Sequence, residues 1–167
     1  MGNLLNKHPD YVITKTAWGE SRKYLYESGM LFKEFKSKMK IGSCPLVHIS
    51  VGICPETGKR IWAKGIVAIG RKAIGVFAIG QLSIGIIAIG QLSIALGFAL
   101  AQLSIAGFFS MGQAAIGIVA IGQFAYGYYA LGQLAYGQYV LSMSVRDFEA
   151  AAFFEGLWQK VRSLFGY

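Results

Sequence analysis

The sequence predicts an all-β fold: a β-solenoid, or parallel β-helix, with a five-residue repeat, about four faces per coil and an amphipathic helix capping its C-terminal end. Three observations predict it. From Ile66 the chain reads in fives: IVAIG, RKAIG, VFAIG, QLSIG, IIAIG, QLSIA, and again from Gln113, QAAIG, IVAIG, QFAYG, YYALG, QLAYG. Self-similarity at a fixed period is the mark of a repeat architecture. The run is also uncharged, with no Asp, Glu, Lys or Arg between Lys72 and Arg146. Finally, Gly closes most units and Ile, Val or Tyr fill them, a composition that suits short strands joined at tight corners.

The period argues against helices. Five residues advance about 140° around a helix, so this repeat builds no constant helical face. The uncharged length would hold about three membrane-spanning helices, but no polar turns separate them. A strand of five residues cannot reverse through a single Gly across sheets spaced ~10 Å apart, whereas a corner near 90° is easier. Four such faces give a coil of about twenty residues, and the repeat then makes nearly four coils, roughly 19 Å tall.

Residues two apart share a strand face. With the second and fourth positions inward, Leu82, Ile84, Ile87 and Ile89 fill the core; the other filled arrangement pairs Gly with Leu inside and puts Ile outward. The first position then lies outside. There Gln81, Gln91, Gln102, Gln113, Gln123 and Gln133 alternate with Val76, Ile86, Leu96, Ile118 and Tyr128. These eleven residues are the candidates for self-association or lipid contact, because large exposed apolar patches mark interfaces or membranes. Two irregular units, LGFALA (96–101) and GFFSMG (107–112), each carry one extra residue and read as bulges or widened corners.

The elements follow in order. Residues 1–30 form an N-terminal segment with a strand over Tyr11 to Ala17 and a strand or short helix over Glu20 to Glu27. Residues 31–65 hold entry strands and the first solenoid coil. There Leu31, Phe35, Met39 and Ile41 face one side, and Glu34, Lys36, Lys38 and Lys40 the other. Pro45 to Ile53 is a second strand, and Cys54 to Arg60 a polar turn. The solenoid occupies 66–143. Residues 144–167 form the capping helix, with Phe148, Phe154, Trp158, Val161 and Phe165 on its apolar face. Its acidic residues lie early and Lys160 and Arg162 late, matching the helix dipole. The cap would cover strand edges that otherwise template aggregation; the alternative for its Trp and Phe face with basic neighbours is a membrane surface.

The segment Pro45-Leu46-Val47-His48-Ile49, the Pro55 to Gly58 turn and Ala63 to Gly70 resemble a family of uncharacterised bacterial proteins with long AIG repeats. The likeness runs from about Phe32 to Phe154 and includes Gly127 to Gly132 and Arg146 to Ala150. It implies a hydrophobic solenoid of bacterial origin, similar in architecture to pentapeptide-repeat proteins, and implies no catalytic residues. This chain carries Gln where that family has mostly Gly, giving a more polar outer face.

Little in the sequence points to chemistry. The uncharged run offers no carboxylate for acid–base catalysis, and no glycine-rich phosphate loop opens a helix. Cys44, His48 and Cys54, with His8 as a distant fourth, fall short of a closed zinc site and lack paired Cys-x-x-Cys spacing. His48 is the one candidate general base. No catalytic residue, metal site or cofactor is therefore expected, nor a small-molecule substrate. The net charge of +8 is concentrated before Lys72, where Lys33, Lys36, Lys38 and Lys40 form a solvated strand face or, as the alternative, touch anionic lipid or nucleic acid. Mimicry of nucleic acid, proposed for acidic pentapeptide solenoids, fails for faces without charge, and no nucleic-acid partner is expected.

The expectation is a non-catalytic structural protein that self-associates through uncharged faces or ends into an oligomer or filament. The alternative is a solenoid embedded in or associated with a membrane. A minor alternative is an enzyme or ligand binder using the Cys44/His48 region. Residues 1–8 lack the apolar core of a secretory signal, and Asn6 weakens a myristoylation signal at Gly2. With two cysteines and no disulfide framework, the expected location is the cytoplasm or the cytoplasmic face of a bacterial membrane.

Overall fold

The computed structural model describes residues 9–164 and 166; Met1, Gly2, Asn6, His8 and Phe165 lie outside them. The protein is a β-solenoid; the described residues are 66% strand, with one C-terminal helix. It divides into two compact units, one ending at Ala95 and one beginning at Leu96.

The first unit opens with an antiparallel meander of β1 (Val12–Lys15), β2 (Gly19–Leu25) and β3 (Leu31–Ser37). A two-residue hairpin, β4 (Lys40–Ile41) with β5 (Cys44–Pro45), leads to β6 (Val47–Val51), which pairs antiparallel with β3. At β6 the sheet changes character, because β7 (Ala63–Gly70) joins it in parallel, Val47 opposite Val67. That step is twenty residues long because it contains the Cys54–Arg60 loop, where Gly58 donates its N–H to the Cys54 carbonyl (2.8 Å). The next step is only ten: Ala63 lies opposite Ala73 and Ala68 opposite Ala78 as β7 pairs with β8 (Lys72–Ala106).

Ten residues per turn correct the expected four-faced coil of twenty. Each turn of the repeat holds two pentads, and they face each other across a narrow interior. A Cβ placed on Gly75 would lie 3.3 Å from the Ala68 Cβ of the opposing pentad. Only the smallest side chains fit such a lumen. Ala63, Ala68, Ala73 and Ala78 form one continuous buried cluster, and Ser83 and Ser93 are fully buried further along.

The inward position is therefore the third of each pentad. The expected filling by the second and fourth, Leu82 and Ile84 or Ile87 and Ile89, is overturned, since Ile79, Ile89 and Ile94 are exposed. Glycine's role changes with it. The positive-φ glycines are Gly29, Gly42, Gly52, Gly58 and Gly166, none of them in the repeat. Repeat glycines are required by close approach instead: a Cβ on Gly90 would overlap the Gly80 carbonyl of the turn below.

β3 buries the face opposite to the expected one. Phe32 is fully enclosed in a cluster with Tyr26 and Cys54, while Leu31, Met39 and Ile41 are exposed. Glu34 shares the buried face for reasons given below.

In the second unit the remainder of β8 pairs with β9 (Phe109–Leu141) in parallel, Phe98 opposite Phe109 and Ile105 opposite Ile116. The step is eleven, so the two irregular units widen the coil by one residue. Phe98 and Phe109 stack with ring centroids 5.3 Å apart and planes 5° apart. From there the ten-residue step returns, with Gly127 over Gly117 and Gly137 over Gly127, and the lumen is again alanine: Ala115, Ala120, Ala125 and Ala130. Helix α1 (Phe148–Leu164) packs on β9. Asp147 ties its start to the strand, accepting at Oδ2 from the Val140 N–H (2.8 Å) and donating its own N–H to the Val140 carbonyl (3.0 Å).

Candidate functional site

A lumen of Ala, Ser and Gly forces every large side chain of the repeat outward. In the first unit Phe77, Ile79, Ile86, Ile89 and Ile94 stand exposed. In the second, Leu96, Leu103, Ile105, Ile116 and Phe124 do so, Leu96 being 72% exposed. The polarity of the fold is thus inverted. Its interior carries hydroxyls: Ser83 and Ser93 are bonded Oγ to Oγ at 2.7 Å, and Ser110 donates to Ser104 Oγ at 2.7 Å. Its exterior carries aliphatic chains.

The eleven candidate residues at the first pentad position all lie on this exterior. Gln81, Ile86, Gln91, Leu96, Gln102, Gln113, Ile118, Gln123, Tyr128 and Gln133 are exposed and Val76 is half-buried. Successive turns stack this position vertically, and Arg71 Nε donates to Gln81 Oε1 at 2.7 Å one turn on. Sequence reasoning missed the larger part of the surface, the second and fourth positions. The available signal was volume: the third position never exceeds Ala or Ser in the regular units.

The outer surface of the second unit changes along the chain. Aliphatic residues give way to Tyr126, Tyr128 and Tyr136, each at least half exposed. Tyr129 stacks on Phe153 of α1 (centroids 4.0 Å apart, planes 13°) and on Tyr139 (5.1 Å). The helix buries Ala150 and Phe154. Phe148 and Trp158 are exposed and Val161 is half-buried, so the contact face runs through Ala150, Phe153 and Phe154.

The first unit contains the one buried charge cluster among the described residues. Glu34, only 1% exposed, is held by Arg22 through both Nε (3.1 Å) and a guanidinium NH2, by Lys36 Nζ at 2.8 Å and by His48 Nε2 at 3.0 Å. Burial pushes the carboxyl up, but hydrogen bonds from His48, Lys36 and Arg22 outweigh it and hold Glu34 well below the usual carboxylate range. The Lys64 N–H donates to His48 Nδ1 at 2.8 Å. That bond assigns the ring proton to Nε2, which donates it to Glu34. Both ring nitrogens are then engaged in hydrogen bonds.

The fold does not assemble Cys44, His48 and Cys54 into a site. Cys44 is exposed at β5 and Cys54 is buried among aromatics. Among the described residues no three His, Cys, Asp or Glu side chains are grouped to hold a metal, and no helix is long and apolar enough to cross a membrane. No family model, curated protein or solved structure matches the chain.

Proposed function

We propose that the protein is a non-catalytic structural β-solenoid whose repeat is embedded in lipid. The observation that carries this reading is the inverted polarity of the repeat, with alanine and serine inside both units, Ile and Phe outside the first and Ile, Leu, Phe and Tyr outside the second. A filament contact through one flat face would leave the opposite face in water, whereas hydrocarbon solvates every outer face at once.

Two further features support it. A segment in hydrocarbon must satisfy its own backbone, and β7 pairs in parallel with β8 and β8 with β9. The residue types also follow the order of a bilayer profile. Lys72 lies over the Trp62 ring (5.2 Å) where the repeat begins; an uncharged aliphatic stretch follows, then a tyrosine zone, then the charged helix.

Membranes from cells expressing the full chain test the proposal by sequential extraction. The protein should stay in the pellet through high salt and alkaline carbonate and be released by detergent. Recovery in the soluble fraction without detergent would overturn it.

The reading of self-association into an oligomer or filament is favoured by a different observation, the exposed glutamines stacked at one pentad position. Amide side chains join apolar segments by hydrogen bonding, and flat Gln ladders can zip laterally. Regular fibres in lipid-free negative-stain micrographs would support it against embedding; dispersed particles in the same grids would count against it.

A further inference from the structure

A cleft of about 620 Å³ opens in the first unit beside the start of the repeat. Lys36, Lys40, Arg60 and Lys64 line it, no carboxylate does, and Ile61 and Trp62 supply an apolar wall. Glu34, which contacts Lys36 and His48 of the lining, is shared among Arg22, Lys36 and His48. Lys40, Arg60 and Lys64 have no carboxylate partner among the described residues, so the cleft is an uncompensated positive pocket. Its volume falls within the range of small-molecule sites.

We propose that this cleft binds a phosphate-bearing headgroup, presented by an anionic phospholipid. Arginine and lysine converging on one concavity recognise phosphate oxygens. The apolar wall selects an amphipathic anion over a bare one, since free phosphate has nothing to set against Ile61 and the Trp62 ring. Trp62 and Lys64 also stand at the entry to the uncharged repeat, at the depth where headgroups would lie. The choice of lipid as the source of the phosphate rests on the membrane reading above; the choice of phosphate does not.

Detergent-purified full chain is presented to preformed phosphatidylcholine vesicles with and without phosphatidylglycerol, and binding is measured by flotation. Inorganic phosphate is tested separately as ligand and competitor. The wild type should prefer phosphatidylglycerol by about tenfold. Arg60→Gln with Lys64→Gln, both exposed side chains, should remove that preference. Lys23→Gln with Lys33→Gln, the same loss of charge on β2 and β3, should keep it. Equal loss in both double variants overturns the cleft in favour of diffuse attraction. Inorganic phosphate binding as tightly as the vesicle overturns the lipid assignment. Carbonate-resistant insertion without a phosphatidylglycerol preference sinks the cleft and leaves the membrane reading standing. A preference that survives in protein stripped from vesicles by carbonate sinks the membrane reading and leaves the cleft.

Discussion

Glu34 occupies a strand position that by alternation belongs to the polar face of β3, yet it is the most buried acid among the described residues. Its neighbours explain why. A carboxylate can leave water when cations and donors replace its hydration, and Arg22, Lys36 and the His48 Nε2–H together do so. Removing one partner of such a cluster strands the others, at a cost of about 3 kcal/mol. Glu34→Gln should therefore lower stability by roughly that amount at neutral pH, as read by chemical denaturation in detergent. The pH dependence has a defined sign. The folded-state pKa of Glu34 is depressed, so its contribution is full above the unfolded value of ~4.3 and is lost as pH falls from there toward the folded value. Wild type should lose stability over that acid range more steeply than Glu34→Gln, and parallel curves would show that the cluster contributes nothing to the pH dependence.

The solenoid turn is set by what its interior excludes. Stacked backbones approach so closely at the pentad ends that a Cβ on Gly127 would overlap the Gly117 carbonyl oxygen and sit 3.2 Å from the Ala120 Cβ. Gly156 of α1 has nothing within 4 Å of the same position. Gly127→Ala should then destabilise by about 1–3 kcal/mol through overpacking. Gly156→Ala should stabilise by about 0.5–1 kcal/mol, because Gly is the poorer helix former. Thermal melts of the two variants should shift in opposite directions, and a common direction would refute the close-packing account. The same geometry shows what was legible in the sequence. The period of five, the strands, the solenoid and the C-terminal helix could all be read from residue spacing. Coil length was carried by the glutamines, spaced by ten and across the irregular units by eleven, but the pentad alone does not select it, because ten- and twenty-residue turns both keep identical pentads in register. Which positions face inward was misjudged by assuming that large apolar side chains fill cores, a rule that holds for a protein surrounded by water. The Glu34 cluster escaped notice because its members, Arg22, Glu34, Lys36 and His48, are scattered over three strands and share no spacing. The basic cleft was half visible as a lysine-rich stretch, but Arg60 joins it from the loop before β7 and Lys64 from β7 itself, both distant in sequence.

For the molecule as a whole, the same inverted polarity makes solvent the deciding variable. If the aliphatic exterior faces water, replacing one of its exposed residues by a charge should be nearly neutral or stabilising. If it faces hydrocarbon, the same charge must be carried into a medium that cannot solvate it, at about 2–4 kcal/mol for Arg near the bilayer midplane. Ile105 lies in the uncharged run, with its side chain 37% exposed and its inward neighbour Ser104 fully buried. Ile105→Arg should lower stability in lipid vesicles by that amount and reduce the fraction of protein retained in carbonate-washed membranes. Lys23→Arg, on the charged sheet of the first unit, should change neither. Unchanged retention and stability for Ile105→Arg would mean that this face meets water or a polar partner. The exposed glutamines would then become the better guide to what covers the exterior.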